Sequence, residues 1–374
     1  MSARLLHVFS TFAPGGPQVR TTRLLPELPR AWRHAVVALD GCTDARALLD
    51  PALGVEILPA PPRAGTARTT LALRALLGRE RPDLLLTYNF GALDALLAAR
   101  LVGLRAVVHH EDGFRPDEVL RFKRRREWAR RLVLGGTRAL IVPSRRLEEI
   151  ARERWRLAPA LVHRIPNGLD CAAFPPRDGN PRRRAELGIP PEAVVVGYVG
   201  HLRPEKNPVR LVESLRDVPA HALILGDGPE RARVEARARE LGLAARVHLV
   251  GHRQAPQDDY RAMDVFALSS DTEQMPVALL EAMASALPVA STDVGDVRGI
   301  LPPAQAPFVV ALGADAAGAL GRALAALAAD AGLRRELGAA NRARVEREYS
   351  FGGMVAAYRD VYARALGAKA DGGA

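Results

Sequence analysis

The stretch Val265-Phe-Ala-Leu268-Ser-Ser-Asp-Thr-Glu273-Gln-Met-Pro276-Val-Ala-Leu-Leu-Glu281-Ala-Met-Ala-Ser-Ala-Leu-Pro-Val289-Ala-Ser291 decides the fold. It opens on a short apolar run, crosses a polar loop closed by Pro276, continues as a helix-forming segment and ends on a second short apolar run. A helix between two short strands returns the chain to its starting end, so the strands pair in parallel. The same rhythm extends in both directions. Upstream lie Leu5–Phe9, Ala35–Leu39, Val55–Leu58, Leu84–Thr87, Ala106–Val108, Ala139–Val142 and Val162–Ile165. The later runs are Val194–Val199, Ala222–Leu225, Val247–Val250, Val265–Leu268, Val289–Ser291 and Phe308–Val310.

This series is too long for one comfortable sheet. Phe174-Pro-Pro-Arg-Asp-Gly-Asn-Pro181 breaks it with turn chemistry between two βα series. The expectation is α/β: two Rossmann-like, doubly wound domains facing a cleft, 1–170 and 191–350, joined by a linker at 171–190. In such sheets ligands bind beyond the carboxyl ends of the strands. Segment 351–374 carries Met354, Val355, Tyr358, Val361, Tyr362 and Leu366 at helical spacing, an apolar face that must pack on one domain.

The chain has 374 residues, 48% hydrophobic and 25% charged, which suits two globular cores rather than a disordered chain. Its net charge of +11 favours anionic partners. Two cysteines, Cys42 and Cys171, cannot build a disulfide framework or a four-cysteine zinc site, and they suit a reducing, cytoplasmic setting. With no apolar run of about 18 residues, a membrane span is not expected. Aromatics at 5% and the lack of a stacking motif argue against nucleic acid as a partner.

Five segments carry candidate chemistry, each after a predicted strand. Gly15-Gly16 exposes backbone N–H groups before a helix, suiting an anion, or forms a tight turn only. His109-His110-Glu111-Asp112 puts four titratable groups at a strand end, as a polar wall that binds a substrate hydroxyl or as a solvated turn. Arg203-Pro-Glu-Lys206-Asn offers cations beside helix N–H groups, a diphosphate clamp or a charged turn. Gly226-Asp-Gly-Pro229 reads equally as ligand contact or tight turn. In the opening stretch, Glu273 and Glu281 stand eight residues apart around a helix start. Carboxylates accept from sugar hydroxyls and N–H groups suit a phosphate.

Together these residues resemble the retaining glycosyltransferases of family four, also called glycosyltransferase group one. The resemblance rests on Glu273-x7-Glu281, on Ile165-Pro-Asn-Gly-Leu-Asp170, on Arg203-Pro-Glu-Lys206-Asn, on Gly226-Asp-Gly-Pro229 and on Gly15-Gly16, in the usual order. It implies a GT-B fold with the donor on the second domain, the acceptor mostly on the first, and the last helix crossing back to the first. It further implies a nucleotide-sugar donor (UDP-, GDP- or ADP-linked), a glycan or lipid-linked acceptor, retention, and no metal or other cofactor. Glu281 would hold the ribose. Glu273, with Gln274 and Met275, would hold the transferred sugar. Lys206 would grip the diphosphate, helped by the Gly15-Gly16 loop, with Arg203 standing in for the arginine missing at 201, and Gly226 would join the donor contacts. His109 would act near the sugar, with His110 as its alternative. Four positions depart from the family pattern: His201 for Arg, Gln274 for Gly, Ala286 for Gly, and Gly295-Asp296 for Gly-Gly.

Residues 121–131 hold seven basic side chains and one acid, with Phe122, Trp128, Leu132 and Val133 interleaved. Arg124, Arg125, Arg126 and Trp128 therefore read as a basic amphipathic helix that docks on an anionic membrane surface, or as a solvated face whose aromatics pack on the sheet. His110, Glu111 and Asp112 join them as acceptor candidates. Two other readings compete: a glycoside hydrolase using Glu273 and Glu281, which would not need the phosphate-binding segments, and a nucleotide-sugar-binding protein without turnover.

Overall fold

Short Val-, Leu- and Ala-rich runs pair into two parallel sheets in the computed structural model, which describes residues 2–62, 64–113 and 124–367. The first sheet has seven strands in the order β3-β2-β1-β4-β5-β6-β7. They are β1 (Ala3–Phe9), β2 (Trp32–Ala38), β3 (Glu56–Leu58), β4 (Leu84–Tyr88), β5 (Val107–His110), β6 (Ala139–Val142) and β7 (Val162–Arg164). The second has six in the order β10-β9-β8-β11-β12-β13. They are β8 (Val194–Val199), β9 (Ala220–Leu225), β10 (Val247–Gly251), β11 (Val265–Leu268), β12 (Val289–Thr292) and β13 (Val309–Val310). Each sheet reverses its strand order once, between β1 and β4 and between β8 and β11. At such a reversal the connecting helices leave to opposite faces, so the loops diverge and leave room for a ligand.

Burial on both faces follows from the two-residue period of the strand. In the second sheet Val195, Leu223, Leu225, Phe266 and Leu268 enter one apolar layer, while Val196, Ala222, Ile224, Val265 and Ala267 enter the other. The chain divides into two units. One holds the residues up to Pro166 together with the final helix from Gly353, and the other holds Asn167–Gly352. In the final helix, Phe351–Ala365, the buried Tyr362 hydroxyl lies 2.8 Å from His110 Nε2, and Arg20 lies over the Tyr358 ring.

Two sequence readings change here. Residues 171–190 are not a free linker but part of the second unit. Phe174 enters its core, and Arg177 and Arg184 pair with Asp264 at 3.1 and 2.7 Å. The strand predicted at 106–108 runs on to His110, because His109 and His110 find strand partners on both sides, in β4 and β6. No single helix among the described residues is long and apolar enough to cross a membrane.

Candidate active site

In the second unit the loops after β8 and β11 flank the strand reversal, and their side chains close on each other. Lys206 Nζ donates to both carboxylate oxygens of Glu273, at 2.6 and 2.7 Å. Ser270 Oγ adds a third bond to Glu273, at 2.8 Å. Arg210 fastens the same two loops by donating to the Ser269 carbonyl at 2.8 Å and to Asp271 at 2.6 Å. The Glu273 side chain is 7% exposed and Lys206 29%. The ammonium therefore faces solvent while its counter-ion is held from behind.

The neighbouring loops are pressed together backbone to backbone. Leu202 N donates to Asp227 O at 2.9 Å, and Gly226 N to Gly251 O at 2.8 Å. Gly226 has φ 141°, and a Cβ there would lie 1.9 Å from the Gly200 carbonyl oxygen. Only glycine fits, so this segment is more than an interchangeable turn. Gly295 supports the Glu273–Gln274 backbone in the same way: at φ 54° its Cβ would stand 2.4 Å from Glu273 O. Asp296 N donates to Gln274 O at 3.2 Å. Met275 is buried; its sulfur and carbonyl accept from the Asn167 backbone N–H and side-chain amide, both at 3.1 Å.

Glu281 sits half-buried in the helix Val277–Ala284, and the Tyr260 hydroxyl donates to its Oε2 at 2.8 Å. Arg203 is exposed beside the loop. His201, at the position that resembles an arginine site, is pushed below the usual histidine range by burial and by the charges of Arg203, His252 and Lys206.

In the first unit His109, His110 and Glu111 are buried and Asp112 is half-buried, which removes the solvated-turn reading. His109 is fully buried, with Nδ1 2.7 Å from Thr87 Oγ1. Its Nε2 has no hydrogen-bond partner among the described residues and lies 3.8 Å from Glu111 Oε2. Glu111 Oε2 accepts from Arg130 Nε at 3.1 Å, while Glu111 Oε1 and Asp112 Oδ2 are buried without partners among the described residues. Arg20 pairs with Asp112 at 2.5 Å. Gly15 and Gly16 stand at the start of the helix Gly16–Leu24. His110 is committed to packing. Its Nδ1 lies 3.0 Å from Thr87 O, its Nε2 meets Tyr362, and burial holds it well below the usual histidine range.

The helix Arg124–Leu134 corrects the reading of the basic segment, of which residues 121–123 lie outside the described residues. Arg124 and Arg125 are exposed, but Arg126 turns over the Phe90 ring at 5.0 Å. Arg130 is fully buried between Phe90 and Trp155, at 4.9 and 5.2 Å. The Glu111 carboxylate and the aromatic faces draw it inward. Trp128 points the other way, 59% exposed, beside Leu132 at 66%, which removes the reading in which Trp128 packs on the sheet. Among the described residues no three His, Cys, Asp or Glu side chains converge as metal ligands would.

Residues 15–168 match the family model of the glycosyl transferase 4-like domain, and residues 180–344 match that of glycosyl transferases group 1. The chain is also 30% identical to a GDP-mannose-dependent alpha-mannosyltransferase of Mycobacterium tuberculosis, over 83% of this chain and 84% of that protein. The chain belongs to the group 1 glycosyltransferases. A second relative of this glycosyltransferase is the UDP-Gal:alpha-D-GlcNAc-diphosphoundecaprenol alpha-1,3-galactosyltransferase of Escherichia coli, 30% identical over 59% of this chain and 60% of that one. The matches to the first curated relatives span only 53 to 60% of those proteins' own length. In fold, the glycosyltransferase superposes on sucrose-phosphate synthase from Thermosynechococcus elongatus with a TM-score of 0.80, covering 98% of this chain and all of that one at 20% identity. Its two parallel sheets are those of the GT-B fold.

Sequence reasoning missed three residues of the site: Tyr260, Arg210 and Arg130. Each acts through a partner far away in sequence, and no local motif announces it.

Proposed function

We propose that this glycosyltransferase moves a hexose from a nucleotide-sugar donor, held by the second unit, to a glycan or lipid-linked acceptor, with retention of anomeric configuration. The observation that carries the reading is the meeting of Lys206 and Glu273 at the strand reversal of the second sheet, with Glu281 on the helix that follows. One loop pair then offers a cation for a diphosphate, a carboxylate for sugar hydroxyls and a second carboxylate for ribose. The donor diphosphate replaces Glu273 as the counter-ion of Lys206, and Glu273 turns to the transferred sugar. Arg203, Gly226, Gln274 and Met275 complete the donor contacts within the second unit.

The leaving diphosphate oxygen accepts the acceptor's proton while the acceptor oxygen bonds to the anomeric carbon on the same face. The protein supplies position and charge stabilisation, and the reading needs no metal or other cofactor. His109 Nε2 and one oxygen each of Glu111 and Asp112 find no partner among the described residues, which supports an acceptor role for that strand end. The two relatives act on a GDP-linked and a UDP-linked sugar. A cytoplasmic protein docked on the inner membrane face, acting in cell-surface polysaccharide or glycolipid synthesis, fits the exposed Trp128 and Leu132 beside Arg124 and Arg125.

The test is transfer from UDP-galactose, UDP-glucose and GDP-mannose to an undecaprenyl-diphosphate-linked sugar, with proton NMR of the product. An α-linked product from an α-linked donor is expected. A β-linked product, or release of free sugar at an equal rate with and without acceptor, would contradict the reading.

A further inference from the structure

Tyr260 is absent from every motif that marks the family resemblance, yet its hydroxyl is aimed at one of the two carboxylates. It comes from the helix Gln257–Ala262, after β10, and is fully buried. Its ring is wedged edge-on against Phe174, with centroids 5.7 Å apart, and tilted against Phe266 at 6.2 Å. Phenylalanine would fill that volume equally well, so packing does not account for the hydroxyl. The hydroxyl has one hydrogen and two acceptors in reach, Glu281 Oε2 at 2.8 Å and Ala278 O at 3.2 Å. The charged and closer acceptor takes it.

We propose that Tyr260 is a positioning residue for donor recognition: its phenol fixes the rotation of the Glu281 carboxylate and so makes that carboxylate selective for the ribose hydroxyls. A glutamate on a helix turns about three side-chain bonds and loses that freedom on binding a ligand. A buried ring held by two aromatic neighbours removes much of the freedom in advance, so the ribose meets a carboxylate already turned. Burial, and then the charge of Glu281, push the phenol well above the usual tyrosine range, and it stays a donor at every working pH. The proposal rests on the ribose role given to Glu281 above.

The experiment compares wild type, Tyr260→Phe, Glu281→Asp and Glu281→Gln by calorimetric titration. The probes are UDP and GDP, their 2′,3′-dideoxy counterparts, and inorganic pyrophosphate. Wild type should bind the ribonucleotide about tenfold or more tightly than the dideoxy form, the scale of one hydrogen bond to a charged group. Tyr260→Phe should shrink that ratio several-fold and leave pyrophosphate affinity unchanged. Glu281→Asp, which keeps the phenol but withdraws the carboxylate from it, should do the same in a protein whose Tyr260 packing is untouched. A merely structural role for Tyr260 would weaken all probes together or none. An unchanged ratio in Tyr260→Phe beside a collapsed one in Glu281→Gln would overturn the proposal and leave the ribose role standing. An unchanged ratio in Glu281→Gln would remove the ribose role, and the proposal with it.

Discussion

Lys206 and Glu273 lie 67 positions apart and share one ion pair, and at the scale of single residues that is the main lesson of the site. Both were visible in the sequence as members of separate loops. Their bond was not, because only the strand order brings those loops together. Tyr260 and Arg130 were invisible for a stronger reason. One sits on a short unremarkable helix and the other inside a run of like residues, and each gains its meaning from a distant carboxylate. Ala286 is the reverse case, since its departure from glycine was legible at once and its consequence is structural. It has φ 54°, the left-handed region in which a Cβ costs about 1–2 kcal/mol. Ala286→Gly removes that cost but gives the unfolded chain more freedom, which returns part of the gain. The expected result is a stabilisation of about 0.5–1 kcal/mol in urea unfolding, with activity unchanged. A destabilised Ala286→Gly would contradict it.

Among elements, the helix Arg124–Leu134 separates what charge counting had merged. Its inner face carries Arg130, Val133 and Leu134, and Arg126 leans over Phe90. Its outer face carries Arg124, Arg125, Trp128 and Leu132, with Arg131 over the Trp128 ring at 5.4 Å. The sequence reading groups Trp128, Leu132 and Val133 as one apolar set, whereas Val133 turns inward and Trp128 and Leu132 outward; it also does not show that Arg130 is buried, because that burial depends on Glu111, which lies at the end of another element. The docking reading therefore belongs to the outer face alone. Each basic residue near an anionic surface contributes about 1 kcal/mol. Wild type should co-sediment with phosphatidylglycerol vesicles and not with phosphatidylcholine ones, and should release in high salt. Arg124→Gln with Arg125→Gln and Trp128→Ala should lower the partition about tenfold or more, whereas Arg126→Gln should matter less. Equal partition of wild type and the triple variant would count against docking through this face.

For the whole molecule, the architecture was legible because its signal is repeated. All thirteen apolar runs became strands, and the reversal in each sheet explains why Arg203 and Lys206 after β8 meet Glu273 and Glu281 after β11 in one unit, and why Gly15 and Gly16 follow β1 in the other; Gly226 follows β9, and the His109–Asp112 group lies at the end of β5. Boundaries were less legible. A Pro-rich segment that reads as a linker is bound to its unit by arginines meeting Asp264, and a strand predicted to stop at 108 continues because its neighbours supply partners. In the proposed function, the second unit is a nucleotide-sugar site built on Lys206, Glu273 and Glu281. Thermal unfolding of the whole chain with UDP, GDP and ADP in turn tests it most directly, since a ligand that binds only the native state raises Tm. At about a hundredfold excess over Kd, one of the three should raise Tm by about 3 °C or more, and Lys206→Ala and Glu281→Ala should lose most of that shift. No shift from any of the three, or the same shift in wild type and both variants, would contradict the account.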